Sequence, residues 1–135
     1  MKIRFFPTLL IFMFSMFAVS VVQAATILVF GDSISAAYGL EVKQGWVALL
    51  QEKLDKAAPG RHLVVNGSLS GEATAGGKAR LPALLEKHQP ALVIIELGGN
   101  DGLRGLPPQA MAANLKNMIA AARSEERRVG KECRL

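Results

Sequence analysis

Cysteine is all but missing: Cys133 stands alone in 135 residues. No intrachain disulfide can form, and the paired cysteine spacing of a zinc site is lacking. A surplus of one charge is also missing from most of the chain. The formal net charge is +5, yet Ala25 to Ala122 holds nine Lys/Arg against eight Asp/Glu. The remaining positive charge lies before Ala25 and after Ala122. The high pI therefore describes no basic face, and nucleic acid is set aside as a partner. A run long enough to cross a membrane is lacking as well. Leu9 to Val22 is apolar except for Ser15 and Ser20, which is short of the roughly 20 residues that a spanning helix needs.

That short apolar run has a different context. Met1-Lys2-Ile3-Arg4 ahead of it carries two positive charges and no acid, and Val22-Gln23-Ala24 puts small residues at a cleavage position. Residues 1–24 read as a secretory signal cut after Ala24, with a membrane anchor as the alternative. The expected product is periplasmic or secreted, without a stable membrane span. The rest of the chain has room for one ordinary domain.

Three apolar runs punctuate it. Thr26 to Phe30, bounded by Gly31-Asp32, suits a strand buried on both faces. His62 to Asn66 predicts a second strand and Ala91 to Leu97 a third, each closed by glycine. Between them the period changes. Trp46, Leu50, Leu54 and Ala57 recur at helical spacing, which predicts a helix over Gln44 to Ala57, stopped by Pro59-Gly60. Glu72 to His88 is helical in pattern but carries Pro82, which predicts two short helices, the second from about Pro82. Pro107-Pro108 opens a last helix, with Met111, Leu115, Met118, Ile119 and Ala122 on one face. Strand and helix alternate, so an α/β layered domain with a parallel sheet is expected.

The segment 123–135 breaks the pattern, with eight charged residues in thirteen. It reads either as a solvated tail or as sequence foreign to the domain. The foreign origin is favoured, because a three-strand sheet ending here leaves a long apolar edge unpaired. The domain proper is thus expected over 25–122.

Ligands of parallel α/β sheets bind beyond the carboxyl ends of the strands. That rule gathers Gly31-Asp32-Ser33, the Gly67 to Gly71 segment and Gly98-Gly99-Asn100-Asp101 at one edge. Acyl transfer by a serine needs a nucleophile, a base and donors for the oxyanion. Ser33 sits where a tight turn can expose a hydroxyl, or else cap a helix. Gly71 offers an N–H that no side chain obstructs, or simply a positive φ. Asn100 offers a neutral amide donor, or ordinary turn chemistry.

The three blocks, in this order, resemble those of the GDSL/SGNH hydrolases. Asn66-Gly67-Ser68-Leu69-Ser70-Gly71-Glu72-Ala73-Thr74 and Leu97-Gly98-Gly99-Asn100-Asp101-Gly102-Leu103-Arg104-Gly105 are similar to the periplasmic acyl-CoA thioesterase I/lysophospholipase/arylesterase subgroup. The resemblance covers about Thr26 to Ala122 and implies a flavodoxin-like three-layer fold. It also implies a small-molecule acyl ester or thioester substrate, cleaved through an acyl-enzyme without metal or cofactor. Ser33 would be the nucleophile and, through its N–H, part of the oxyanion hole. Gly71 and Asn100 would supply the other donors. Gly99, Asp101, Gly102, Leu103, Arg104 and Gly105 would line the acyl groove.

One block of that family is missing. No Asp-x-x-His occurs in the sequence, so the catalytic base and its orienting acid are absent and a C-terminal truncation is expected. His62 begins a strand and His88 ends a helix, and neither is a natural substitute. The leading expectation is a serine esterase or thioesterase that is almost inactive in this form. The alternatives are a non-catalytic periplasmic module binding acyl groups or lipids, and a carbohydrate acetylesterase of the same superfamily. Oligomeric state cannot be read from the sequence.

Overall fold

The three apolar runs become three parallel strands. A computed structural model describes residues 24–132, with side chains as far as Ser124. The elements are β1 (Ala25–Gly31), a 3₁₀ turn (Val42–Gln44), α1 (Trp46–Ala57), β2 (His62–Asn66) and α2 (Thr74–His88). They continue with β3 (Leu92–Glu96), α3 (Gly99–Leu103) and α4 (Pro108–Glu132). The expected signal segment and the last residues of the expected tail lie outside the described residues.

The strand order is β2-β1-β3. β1 pairs with β2 from Ala25↔His62 to Val29↔Asn66, and with β3 from Ile27↔Leu92 to Gly31↔Glu96. A strand hydrogen-bonded on both sides and covered on both faces needs apolar residues at consecutive positions. Leu28, Val29 and Phe30 are accordingly all fully buried. Register sorts the side chains between the faces. Leu28, Val65 and Val93 align across the sheet, as do Phe30 and Ile95, and these meet Leu81, Leu85 and Met118 of α2 and α4. Val64 and Asn66 point the other way, toward Val47 and Ala48 of α1. The result is three layers: α1, the sheet, and the α2–α4 pair.

Three expectations change. α2 is one helix, not two, although Pro82 lies inside it. Leu81 and Leu85 are buried on either side of the proline and hold both halves against the sheet. Lys78, whose carbonyl loses its partner to Pro82, is exposed, so water can satisfy it. The first helix begins at Trp46 rather than Gln44. Glu41 and Gln44 instead form a reciprocal capping box around the short 3₁₀ turn. Gly99 to Leu103, expected as loop, is a short helix. On α4, Met118 is buried and Leu115 and Ala122 pack on the core, but Ile119 is 45% exposed beside the open edge of β3. The α4 backbone stays helical through Glu132, past the change of composition at Ala122.

Pro82→Ala restores a backbone donor at an exposed position in the middle of α2. The expected outcome is a stability gain of about 1–2 kcal/mol in urea unfolding, the helix-interior penalty of proline offset by greater freedom of the unfolded chain.

Candidate active site

In strand order β2-β1-β3, the chain leaves β1 toward one side and returns to the other. The crevice of such a sheet opens between the carboxyl ends of β1 and β3. Ser33 follows β1 and Asn100 follows β3, so the topology puts them on the two sides of that crevice.

The Ser33 turn is made locally. Asp32 Oδ1 accepts from Ile34 N–H at 3.0 Å. Ala36 N–H donates to Asp32 O at 2.9 Å and Tyr38 N–H to Ser33 O at 3.0 Å. These bonds close one helical turn directly after the strand and leave Ser33 at its head, half-buried. Among the described residues, neither the Ser33 hydroxyl nor its N–H has a hydrogen-bond partner.

The Gly67 to Gly71 loop is laid against β1. Gly67 N–H donates to Val29 O at 2.8 Å, Leu69 N–H to Gly31 O at 3.0 Å, and Gly31 N–H to Ser68 Oγ at 3.0 Å. Gly71 then turns the chain with φ +78°, a conformation costly for a side-chain-bearing residue. Its N–H also lacks a protein partner among the described residues. Glu72 pairs with Arg80, whose guanidinium reaches Gly67 O at 3.0 Å and lies over the Phe30 ring at 5.3 Å. This pins the loop to α2.

Asn100 joins the two sides. Its Nδ2 donates to Asp32 Oδ2 at 3.1 Å and to Glu72 O at 3.0 Å. The amide is thereby held between the Ser33 turn and the Gly71 loop. The Asn100 side chain thus bridges the turn that carries Ser33 and the loop that carries Gly71, with both of its N–H bonds used in doing so.

The remaining candidates separate into two groups. Leu103 is 87% exposed, and Gly102 and Gly105 face open space. Arg104 donates to Gly71 O at 2.9 Å and straps α3 to the glycine loop. Gly99 lies near the Asp32 carboxylate, which a Cβ there would meet at 3.5 Å. Asp101 turns inward instead. It is buried, and its two oxygens accept from Thr74 N–H at 2.8 Å and Thr74 Oγ1 at 2.6 Å. Asn114 Nδ2 completes the set by donating to Thr74 Oγ1 at 3.2 Å. A carboxylate at the first N–H of a fifteen-residue helix is favoured by the helix dipole. Asp101 thus caps α2 from across the fold, and its carboxylate is unavailable to a ligand in the groove.

Sequence reasoning gave no role to Asp32, Glu72 or Arg80. Asp32 stood inside the first block, but nothing in the sequence says that its carboxylate reaches residue 100. His62 pairs with Ala25 at the start of the strands, a strand length of about 20 Å from the loop ends. His88 is the last residue of α2, whose first residue, Thr74, is at the site; fifteen helical residues span about 20 Å. Neither histidine reaches Ser33.

The molecule is a layered α/β protein whose parallel sheet carries a serine turn, a glycine loop and a Gly-x-Asn-Asp segment at its carboxyl edge. The chain belongs to the GDSL-like Lipase/Acylhydrolase family, whose pattern matches residues 29–132. It is 59% identical over 107 residues to esterase TesA of Pseudomonas aeruginosa, covering 78% of this chain and 52% of that protein. It is 47% identical over 96 residues to thioesterase 1/protease 1/lysophospholipase L1 of Escherichia coli K12, covering 71% of this chain and 44% of that protein. A crystal structure of TesA superposes with a TM-score of 0.73 at 58% identity, covering 75% of this chain and 56% of that one. The chain spans about half the length of the relatives it matches.

Asp101→Ala removes a helix cap and strands the Thr74 hydroxyl. The expected cost is about 2–4 kcal/mol, measured by chemical denaturation. Asp101→Asn, which keeps an acceptor, loses less.

Proposed function

We propose that these residues form the nucleophile and oxyanion half of a serine hydrolase acting on acyl esters or thioesters. The observation that carries this reading is the Asn100 bridge from Asp32, next to Ser33, to Glu72 O, next to Gly71, which brings an unpartnered Ser33 hydroxyl and the unpartnered Ser33 and Gly71 N–H groups to one sheet edge. In the reaction, Ser33 Oγ attacks the acyl carbonyl carbon and the carbonyl π electrons move onto oxygen. The Ser33 and Gly71 N–H groups hold that oxyanion, and the Asn100 amide joins them by turning one of its two N–H bonds from Asp32 or Glu72 O onto the oxygen. Collapse expels the alcohol or thiol and leaves an acyl-Ser33, which water hydrolyses. Leu103, Arg104 and the open glycines Gly102 and Gly105 supply the acyl groove.

The base that takes the serine proton, and the acid that orients it, come from residues outside this sequence. The distance of both histidines from the site supports that assignment. Export with cleavage after Ala24 belongs to the same proposal, and the start of β1 at Ala25 supports it. Among the described residues no helix is long and apolar enough to cross a membrane. The segment 123–135 is assigned no part in the chemistry.

With 4-nitrophenyl butyrate, the chain is expected to retain at most the 10³–10⁴-fold advantage over water that oxyanion donors and binding give when a triad is broken. Ser33→Ala abolishes the acyl-enzyme mass, while a remainder that comes from oxyanion donors and binding alone persists. An acyl-enzyme mass that survives Ser33→Ala overturns the nucleophile assignment. Acyl ligands that bind equally well to both forms without any acyl-enzyme favour the binding-module reading, which the histidine positions also allow. Turnover confined to acetylated sugars favours the acetylesterase.

A further inference from the structure

Ser35, two residues beyond the proposed nucleophile, is 1% exposed, and three elements hold it. Its Oγ donates to Glu96 Oε2 at 2.9 Å, at the end of β3. The same oxygen accepts from Trp46 Nε1 at 3.2 Å, at the start of α1. Its carbonyl accepts from Asn66 Nδ2 at 2.7 Å, at the end of β2. Gly31 closes the remaining side. A Cβ there would come within 2.7 Å of Ser35 Oγ and 2.8 Å of Glu96 Oε2, so only glycine lets the Ser35–Glu96 pair lie directly under the strand end. Gly31 and Glu96 are also register partners across β1 and β3.

We propose that Ser35 and Glu96 are positioning residues for Ser33: their hydrogen bond ties the nucleophile turn to β3, the strand that also carries Asn100. This inference rests on Ser33 being the nucleophile. The physical reason is rigidity. The turn's own bonds fix its shape but not its height over the sheet, and the Ser35 hydroxyl is a side-chain anchor into the interior beside the Asp32–Asn100 and Asn66–Ser35 carbonyl bonds. Removing that anchor lets Ser33 Oγ and its N–H drift relative to the Asn100 amide. Displacements near 1 Å cost up to about a hundredfold in reactivity.

The test uses the full chain with a 4-nitrophenyl alkylphosphonate in mildly alkaline buffer, where hydroxide takes the serine proton. The Ser33 Oγ–P bond forms, the P–O(aryl) bond breaks and 4-nitrophenolate leaves, while the tetrahedral adduct puts its oxygen among the oxyanion donors. Ser35→Ala and Glu96→Leu are each expected to slow labelling of Ser33 about tenfold or more. The double variant is expected to be no slower than Ser35→Ala, because one interaction is lost once. Glu96→Gln, which keeps an acceptor for the Ser35 hydroxyl, recovers most of the rate.

Trp46 is the chain's one tryptophan and gives a separate signature. Its emission shifts in Ser35→Ala, which loses the indole's acceptor, and stays in place in Glu96→Leu, which does not. Wild-type labelling rates in Ser35→Ala or in Glu96→Leu overturn the proposal, as do rate losses that multiply in the double variant. If Ser35→Ala fails to fold, the contrast between Glu96→Leu and Glu96→Gln decides alone. Failure of the wild type itself to label at Ser33 above the Ser33→Ala background is a different outcome: it removes the nucleophile reading, and this inference falls with it.

Discussion

Everything at the site hangs from β1. It is hydrogen-bonded to strands on both sides and sealed on both faces, so the position where it ends is fixed by the whole sheet. The Ser33 turn begins at that end, the glycine loop is hydrogen-bonded to its last carbonyls, and β3 runs beside it to the segment carrying Asn100. A parallel pairing places all three carboxyl ends on the same side. The chemistry is thereby gathered from residues up to 68 positions apart, as in the Asp32–Asn100 bond, without any long loop having to find its own way.

Two layers of polar contacts refine that placement. Above the sheet, Asp32 and Glu72 O hold the Asn100 amide between the Ser33 turn and the glycine loop. Below it, Asp101 caps α2 and Ser35 reaches Glu96. Buried polar groups of this kind are costly when unpaired and orienting when paired. Asp101 and Thr74 satisfy one another with Asn114, and Arg80 answers Glu72. Arg104 adds an exposed strap across the two loops, so α3 is tied to the Gly71 segment on both its buried and its open side.

Much of the frame was legible in the sequence, and for a plain reason. A strand buried on both faces must be apolar at consecutive positions, so Leu28-Val29-Phe30 declares itself. The helical spacing of Trp46, Leu50 and Leu54 does so as well. The placement of Ser33, Gly71 and Asn100 at one sheet edge was legible because they follow strand ends in a sheet whose direction the alternation dictates. The helix carrying Pro82 was not, because local chemistry argues for a break while Leu81 and Leu85 are held by the core on either side. Asp101 was not either. Its neighbours in the chain are open glycines and exposed Leu103, and nothing local says that its carboxylate faces the first turn of another helix.

The sequence by itself determined the layered α/β class, the edge at which ligands meet the sheet, and the residue types able to attack a carbonyl and hold an oxyanion. These depend on periodicity and local turn chemistry, which short stretches contain. The tertiary structure alone decided the strand order that opens the crevice between β1 and β3. It also decided the pairing of Asp32 with Asn100, the inward turn of Asp101 and the Ser35–Glu96 contact beneath the Ser33 turn. Those depend on which distant residues meet in register, and register is a property of the packed sheet, not of any segment in it.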